Sequence, residues 1–359
     1  MLSAPKFLFV PVSTPEGIGE YMRSKIIADE IRVRWPNAKI DFVLNRYVSY
    51  IDDCPYATHL VDDTPTKKTR EVNQLITELK PDVVIFDAAG RKAQLKHAHR
   101  MGAKVIFISQ HRRKRSRGMK IARARVTDSH WVVQPEFVIG PINWLDKLKL
   151  SLIKKSEPIV IGPIFTHPSE AKQSELLQKY GVEKNEYLIF NAGSGGHKKG
   201  GVYAADVFAR VAKAIYQATK LTCLMVYGSN YPKQLQVYEG VVGIEQINHA
   251  DFINLLVTSR AAVLSGGDTL MQAIALKKAA LAVAVSKDQA YRLNVCKANN
   301  FIVSSPFREE DMLAGVLELL TPETMVSLQA SLKECQCSNG LHIGIREIGL
   351  LFKQDIVGI

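Results

Sequence analysis

Three short stretches of the chain combine glycine, small polar residues and a helix start in a way that can hold an anionic ligand. They are Ser13-Thr-Pro-Glu-Gly17-Ile-Gly19-Glu20, Asn191-Ala-Gly193-Ser194-Gly195-Gly196-His197 and Ser265-Gly266-Gly267-Asp268-Thr269-Leu-Met-Gln272. Each follows a short apolar run and opens a helical pattern. Glycine lets the backbone approach a ligand closely, and a helix N-terminus offers unpaired N–H groups with a partial positive charge. Together these bind phosphate or another anion. The alternative at each turn is geometry alone, a strand-to-helix connection that needs glycine for its own conformation. Two such turns in one half of the chain favour the ligand. No GxGxxG follows the first strand and no GxxxxGK[ST] occurs, which argues against simple NAD and ATP sites. Beyond the third turn lies a polar cluster, Lys287-Asp288-Gln289.

Three proton acceptors fall at the ends of apolar runs. Glu20 follows the first glycine turn, Asp87 ends the run DVVIFDA, and His111 follows KVIFISQ. A carboxylate or imidazole in a closed site can act as a general base. Glu20 is the first choice, then Asp87, then His111. Each has a plainer role available: a first-turn acid on its helix, a cap for the helix near Arg91, and a loop histidine beside a basic run.

These residues need a scaffold, and the apolar runs supply one. In the first half, strands are expected at 6–12, 39–45, 82–88, 104–110 and 130–134, with helices near 19–35, 67–79 and 91–101. In the second half, strands are expected at 187–192, 221–227, 241–247, 261–266, 279–285 and 301–304. Helices there fall at 169–180, 201–219, 249–257, 269–277, 288–298 and 308–320. Strands without alternation, each followed by a helix, mean parallel sheets covered on both faces. The fold class is α/β, two doubly wound Rossmann-like domains. A chain of 359 residues is long for one core. The pattern pauses between Gly140-Pro141 and Gly162-Pro163, so a linker is expected near 158–166. That divides the chain into 1–157, 158–320 and C-terminal helices at 321–359, the last expected to pack back on the first domain.

The layout resembles the GT-B glycosyltransferases, whose two Rossmann-like domains face a cleft. Within them, residues 186–305 resemble the C-terminal domain of the family of the lipid II-forming N-acetylglucosaminyltransferase. The likeness rests on NAGSGG after the first strand, on Ser265-Gly266-Gly267-Asp268-Thr269 with Gln272, and on Asp288-Gln289 followed by Asn294. It implies an inverting transferase that takes a sugar from a nucleotide donor, expected to be a UDP-sugar. By the same carry-over, Gly266, Gly267, Asp268 and Thr269 meet the donor diphosphate and ribose. Asp288 and Gln289 hydrogen-bond sugar hydroxyls, and Gly193, Ser194, Gly195 and Gly196 form the other wall. Gln246 and Ile247 read the base through their backbone. The family places Glu where this chain has Gln272, and a neutral acceptor binds ribose hydroxyls more weakly. The first half is by resemblance the acceptor domain, with Gly17 and Gly19 in its first loop. The family's loop histidine is replaced near Glu20. No Asp-x-Asp pair occurs, which fits a reaction without metal or cofactor, the nucleotide sugar being a substrate. Other readings of the same fold are a nucleotide-sugar hydrolase or epimerase and a non-catalytic nucleotide-binding or partner subunit.

The chain carries a formal net charge of +12. The run from His111 to Arg125 holds eight Lys and Arg and no acid, beginning Arg112, Arg113, Lys114, Arg115. A second segment, Asn143 to Lys155, mixes Trp144, Leu145, Leu148 and Leu152 with four lysines. If helical, its apolar residues share one face. A basic amphipathic helix can lie on anionic lipid, each Lys or Arg near the surface adding roughly 1 kcal/mol. An ordinary core-facing helix beside a solvated basic loop is the alternative. An anionic membrane surface and a lipid-linked or envelope polysaccharide acceptor are therefore expected partners. Nucleic acid is disfavoured, because no aromatic stacking or recognition-helix pattern accompanies the arginines. No apolar stretch is long enough to span a bilayer, and the short N-terminal run reads as a buried strand rather than a signal peptide. Five scattered cysteines suit a reducing compartment, and Cys335-Gln-Cys337 lacks the second pair a metal site would need. The expected place is the cytoplasm, peripheral at the inner face of the membrane.

Overall fold

The computed structural model describes residues 4–14, 18–287 and 289–353. The chain divides into two compact units, 1–164 with 340–359, and 165–339.

The first unit is built on a parallel sheet of β1 (Lys6–Pro11), β2 (Lys39–Asn45), β3 (Ala57–Val61), β4 (Val83–Asp87), β5 (Lys104–Ser109), β6 (Ser129–Val132) and β7 (Ile159–Val160). The order across it is β3-β2-β1-β4-β5-β6-β7. The central strands are apolar at nearly every position because helices cover both faces. One face gathers Phe7, Phe9, Phe42 and Trp131 with helix Gly19–Arg34. The other gathers Val10, Val84 and Phe86 with Val72, Ile76 and Leu95 of helices Thr69–Leu79 and Lys92–Arg100. Helix Leu341–Lys353 joins the first face through Leu341, Ile348 and Leu351.

Two strands here are not apolar runs. β3 reads ATHLV, is half exposed and forms an edge, where polar residues can face water. β7 is two residues long and lies inside the stretch expected to be a linker. Its pairing with β6 puts residues 159–160 in the first sheet instead.

The second unit holds β8 (Tyr187–Asn191), a short antiparallel hairpin of β9 (Lys198–Lys199) and β10 (Val202–Tyr203), then β11 (Thr222–Val226), β12 (Val241–Ile244), β13 (Ala261–Ser265), β14 (Ala280–Val283) and β15 (Val303–Ser305). The parallel sheet runs β12-β11-β8-β13-β14-β15. Its core is centred on Phe190, Phe208, Val263 and Leu281. Helix Pro322–Glu334 belongs to this unit, with Leu328 in its core, so from residue 321 onward only the chain from Gly340 joins the first unit.

In both sheets the strand order reverses once, between β1 and β4 and between β8 and β13. Ligands of doubly wound sheets bind outside the carboxyl ends of the strands at such a reversal. Asp87 and Ser13 lie at the first reversal, and Asn191 and Ser265 at the second.

The first unit also encloses a histidine. His130 on β6 meets the Ser109 hydroxyl at 3.0 Å through Nε2, and its ring edge lies against Gly118. Burial, reinforced by Arg115, pushes its imidazole down from 6.5 to about 3. The unfolded chain takes up this proton near 6.5 and the folded chain only far lower. Stability present at neutral pH is therefore lost as pH falls from about 6.5 toward 3. Urea unfolding at pH 7 and pH 5 should differ by ~1–2 kcal/mol from this residue. A His130→Gln variant that keeps the full difference would remove His130 as its source.

Candidate functional site

At the second reversal, β8 delivers Asn191. Its Oδ1 accepts the Gly193 N–H at 3.1 Å, and its Nδ2 donates to the carbonyls of Gly193 and Val226, each at 3.1 Å. This fixes the start of the NAGSGG turn. Gly195 has φ +94°, and a Cβ there would lie 2.6 Å from the Tyr227 carbonyl. The Ser194 carbonyl accepts the Asn230 N–H at 2.9 Å, which ties the turn to the loop after β11. Gly196 and His197 are exposed.

The neighbouring turn follows β13. Gly267 is the N-cap of helix Asp268–Ala275, with no side-chain cap bond. A Cβ on Gly267 would meet only the Ser265 hydroxyl, at 3.8 Å, so this position faces open space. Ser265 also lies beside Gly193, whose virtual Cβ is 3.5 Å from its Oγ. The two glycine turns therefore meet across the reversal. Gly267, Asp268 and Thr269 are half-buried, while Gln272, one turn further in, is buried.

Two residues assigned to ligand contact have other work. Gly266 donates its N–H to the Val283 carbonyl at 3.1 Å and to Gln289 Oε1 at 3.2 Å, and a Cβ there would strike Leu293. Its glycine serves packing against helix Gln289–Ala298, and its N–H is already committed. Gln289 is buried, and Oε1 also accepts the Val285 N–H at 3.0 Å. A buried amide whose oxygen is tied to two backbone donors is a brace between loops, and that oxygen is taken and cannot accept from a sugar hydroxyl as expected. Asp288 and Gly17 lie outside the described residues.

Arg292 was not legible as a site residue. On the same helix as Gln289, it donates Nη1 to the Gly266 carbonyl at 2.6 Å and holds Nη2 3.9 Å from Asp268. Its spacing of three from Gln289 puts both on one helix face, which gains meaning only once the neighbours of that face are known. Lys199 on the β9–β10 hairpin reaches the Ala284 carbonyl at 3.2 Å. Arg292 thus stands beside the uncapped helix start. Gln246 and Ile247 follow β12, and the Glu245 carbonyl before them accepts the Gly228 N–H at 3.1 Å.

At the first reversal, the sequence candidates separate. Asp87 is fully buried and held by Arg23, Nε to Oδ2 at 2.8 Å and Nη2 to Oδ1 at 2.7 Å. Ser24 adds a bond at 3.3 Å. Burial pushes the Asp87 carboxyl up to about 6, with Arg23 pulling the other way. A buried carboxylate engaged by both nitrogens of a fork cannot reach a substrate proton, so Asp87 is corrected from candidate base to anchor of Arg23. Arg23 in turn donates to Gln110 Oε1 at 2.8 Å, and Gln110 Nε2 donates to Glu20 Oε1 at 2.9 Å. Lys114 Nζ lies 3.9 Å from the same oxygen. Glu20 is 17% exposed in its side chain, at the first turn of helix Gly19–Arg34 beside the exposed Gly19.

His111 caps helix Arg112–Gly118, its Nδ1 accepting the Lys114 N–H at 3.3 Å. Partial burial, then the cations Lys114, Arg117 and Arg113, lower its pKa. The ring is neutral with its proton on Nε2, so outward it offers a donor rather than a base. Arg112 and Arg115 point back at the chain. Arg112 bonds the Ile139 carbonyl at 2.9 Å, and Arg115 those of Gly140 and Pro141 at 2.6 and 2.9 Å. Arg113 and Trp144 are exposed. Among the described residues, no group of three or more His, Cys, Asp or Glu is arranged to hold a metal ion.

No family model matches the chain, and no curated protein matches it. Solved structures do. The calicheamicin glycosyltransferase CalG4 superposes with a TM-score of 0.65 at 12% identity, covering 98% of this chain and 99% of its own. The glycosyltransferase VinC in complex with dTDP gives 0.65 at 12%, covering 97% and 100%. A putative UDP-N-acetylglucosamine 2-epimerase from Listeria monocytogenes gives 0.59 at 13%, covering 98% of each chain. At these identities the likeness shows the fold: two Rossmann-like α/β domains, as in the GT-B glycosyltransferases.

Removing Arg23 would leave Asp87 buried without its cation, with only the Ser24 hydroxyl beside it. Arg23→Ala should cost ~3–5 kcal/mol in urea unfolding, and the apolar double replacement Arg23→Met with Asp87→Leu should recover most of it. Equal losses in both variants would show that packing, not charge pairing, sets the cost.

Proposed function

We propose that the protein is a glycosyltransferase that moves a sugar from a nucleotide donor to an acceptor. The observation that carries this is the second-unit reversal, where two glycine turns meet beside an uncapped helix start and Arg292. Such a place neutralises a diphosphate. The donor's phosphates lie against Gly267, Asp268 and Thr269, with Gly193, Ser194 and Gly196 opposite. Gln272 replaces the acid that the lipid II-forming family uses for ribose. Gln246 and Ile247 are positioned in sequence to read the base. A UDP-sugar is the proposed donor, with dTDP-sugars next, since VinC is a dTDP complex.

Transfer with inversion needs a base for the acceptor hydroxyl. Glu20 takes that role. Its contacts with Gln110 and Lys114 both fall on Oε1, which leaves Oε2 to accept the proton. In the reaction the acceptor oxygen attacks the anomeric carbon, the bond to the nucleoside diphosphate breaks, and the proton passes to Glu20. Helix N-terminus and guanidinium stabilise the leaving diphosphate, with no metal or cofactor. The proposed acceptor is lipid-linked or an envelope polysaccharide, met at the cytoplasmic face of the membrane. The epimerase neighbour supports a second reading, a nucleotide-sugar hydrolase or epimerase. That enzyme would consume donor with no acceptor present.

Thermal-shift measurement with UDP, GDP, CMP, ADP and dTDP, with and without magnesium, tests the donor site. One nucleotide should raise the melting temperature without the metal, and Gly267→Trp should remove that rise while keeping the unliganded melting point. Full nucleotide affinity in Gly267→Trp would sink the phosphate assignment. Once a donor is found, Glu20→Gln should lower turnover by about 10²-fold or more. Normal turnover would remove Glu20 as the base.

A further inference from the structure

The segment from Asn143 to Lys155 resolves the choice between a core-facing helix and a surface one. Residues Trp144–Leu152 are helical, capped by Asn143, whose Oδ1 accepts the Asp146 N–H at 2.8 Å. At 100° per residue, Trp144, Leu145, Leu148 and Leu152 span one arc of the helix, and Asp146 and Leu150 lie opposite. The buried side is the second one. Asp146 and Leu150 are buried, Leu150 packing with Met119 and Ala124. The apolar arc faces out, with exposures of 70% at Trp144, 48% at Leu145, 49% at Leu148 and 74% at Leu152. Four large apolar side chains on one outward arc mark an interaction surface.

Its surroundings select the occupant. Lys147 and Lys149 flank the arc, and Lys154 follows it, all exposed. Helices Arg112–Gly118 and Ile121–Ala124 precede it and are joined to it through the Met119, Ala124 and Leu150 cluster and through the Arg112 and Arg115 bonds to residues 139–141. The first exposes Arg113 and Arg117, and the caps of the second, Lys120 and Arg125, are exposed too. Two acids here are engaged, Asp146 by Asn143 and Lys149, and Glu157 by Lys147 at 3.2 Å. An apolar arc rimmed by cations complements a surface that is apolar within and anionic at its face.

We infer that helix Trp144–Leu152 docks this protein on an anionic lipid bilayer. Trp144, Leu145, Leu148 and Leu152 enter the acyl boundary, and the lysines and arginines around them meet the headgroups. This deepens the proposed function in one respect: the helix that carries Arg113 and Arg117 also carries Lys114, which faces Glu20. The docking itself does not require that reading.

Flotation of the full chain with phosphatidylcholine vesicles, with and without phosphatidylglycerol, tests it in the absence of donor or acceptor. The protein should float with the anionic vesicles and remain behind with the neutral ones. Leu148→Ser with Leu152→Ser should weaken binding about tenfold or more. Lys147→Gln with Lys149→Gln should weaken it and reduce its dependence on salt. These side chains are exposed, so the variants should keep the native melting point, which is measured alongside. The inference is overturned if the native chain stays with neither vesicle. It is also overturned if the leucine variant binds as the native chain does, or if the native chain forms a dimer that the leucine variant disperses, since the arc then belongs to a second copy. A preference for a DNA duplex over anionic vesicles would assign the basic face to nucleic acid instead. Nucleotide binding by thermal shift is unaffected by any of these results, so loss of this inference and loss of the donor site are read separately.

Discussion

A parallel sheet covered on both faces has only its strand ends left to meet solvent and ligand. That constraint organises this protein. Every central strand of both sheets spends its side chains on the core, and the polar residues with chemical potential collect where the strands stop. At a reversal of strand order, the helices on either side depart to opposite faces, so the backbone there opens rather than closes. Asn191, Gly193, Ser265 and Gly267 occupy one such opening, and Ser13 and Asp87 the other.

The two openings are furnished differently. In the second unit the backbone itself is presented, held by side chains such as Asn191 and Gln289 that bond it from behind. Glycine appears there for two reasons, closeness of packing at Gly195 and Gly266 and open space at Gly267. In the first unit the opening is filled by a relay of side chains, Asp87 to Arg23 to Gln110 to Glu20. Burying two charges is tolerated because each satisfies the other, and the surplus donor of the guanidinium is then aimed. The most buried acid, Asp87, orients Arg23, and the more exposed acid, Glu20, ends the relay.

The fold was legible because parallel strands are long apolar runs, and β1, β2, β4 and β5 stand within a residue or two of where their hydrophobicity places them. β3 was hidden by its edge position, since ATHLV carries no pattern, and β7 by its length. The glycine turns were legible as turns, yet the sequence could not distinguish a glycine that faces open space from one that faces Leu293. Nor could it tell that Asp87 is spoken for, because Arg23 lies 64 residues away and its approach is made by the sheet. Arg292 escaped notice because one arginine on a polar helix carries no signal until its neighbours are known. The outward turn of Trp144 and Leu152 was equally open in sequence, where an apolar arc reads the same whether it faces a core or a surface.

The first unit is discontinuous in sequence. Its sheet is complete by residue 160, but the helix that covers Phe7, Trp35 and Trp131 begins at Leu341. Between them the whole second unit is encoded, as one uninterrupted stretch. A ribosome delivering this chain therefore releases a first sheet with part of one face uncovered, and that face must wait while the second unit is made and folds. The part of the protein translated first is the last to be finished.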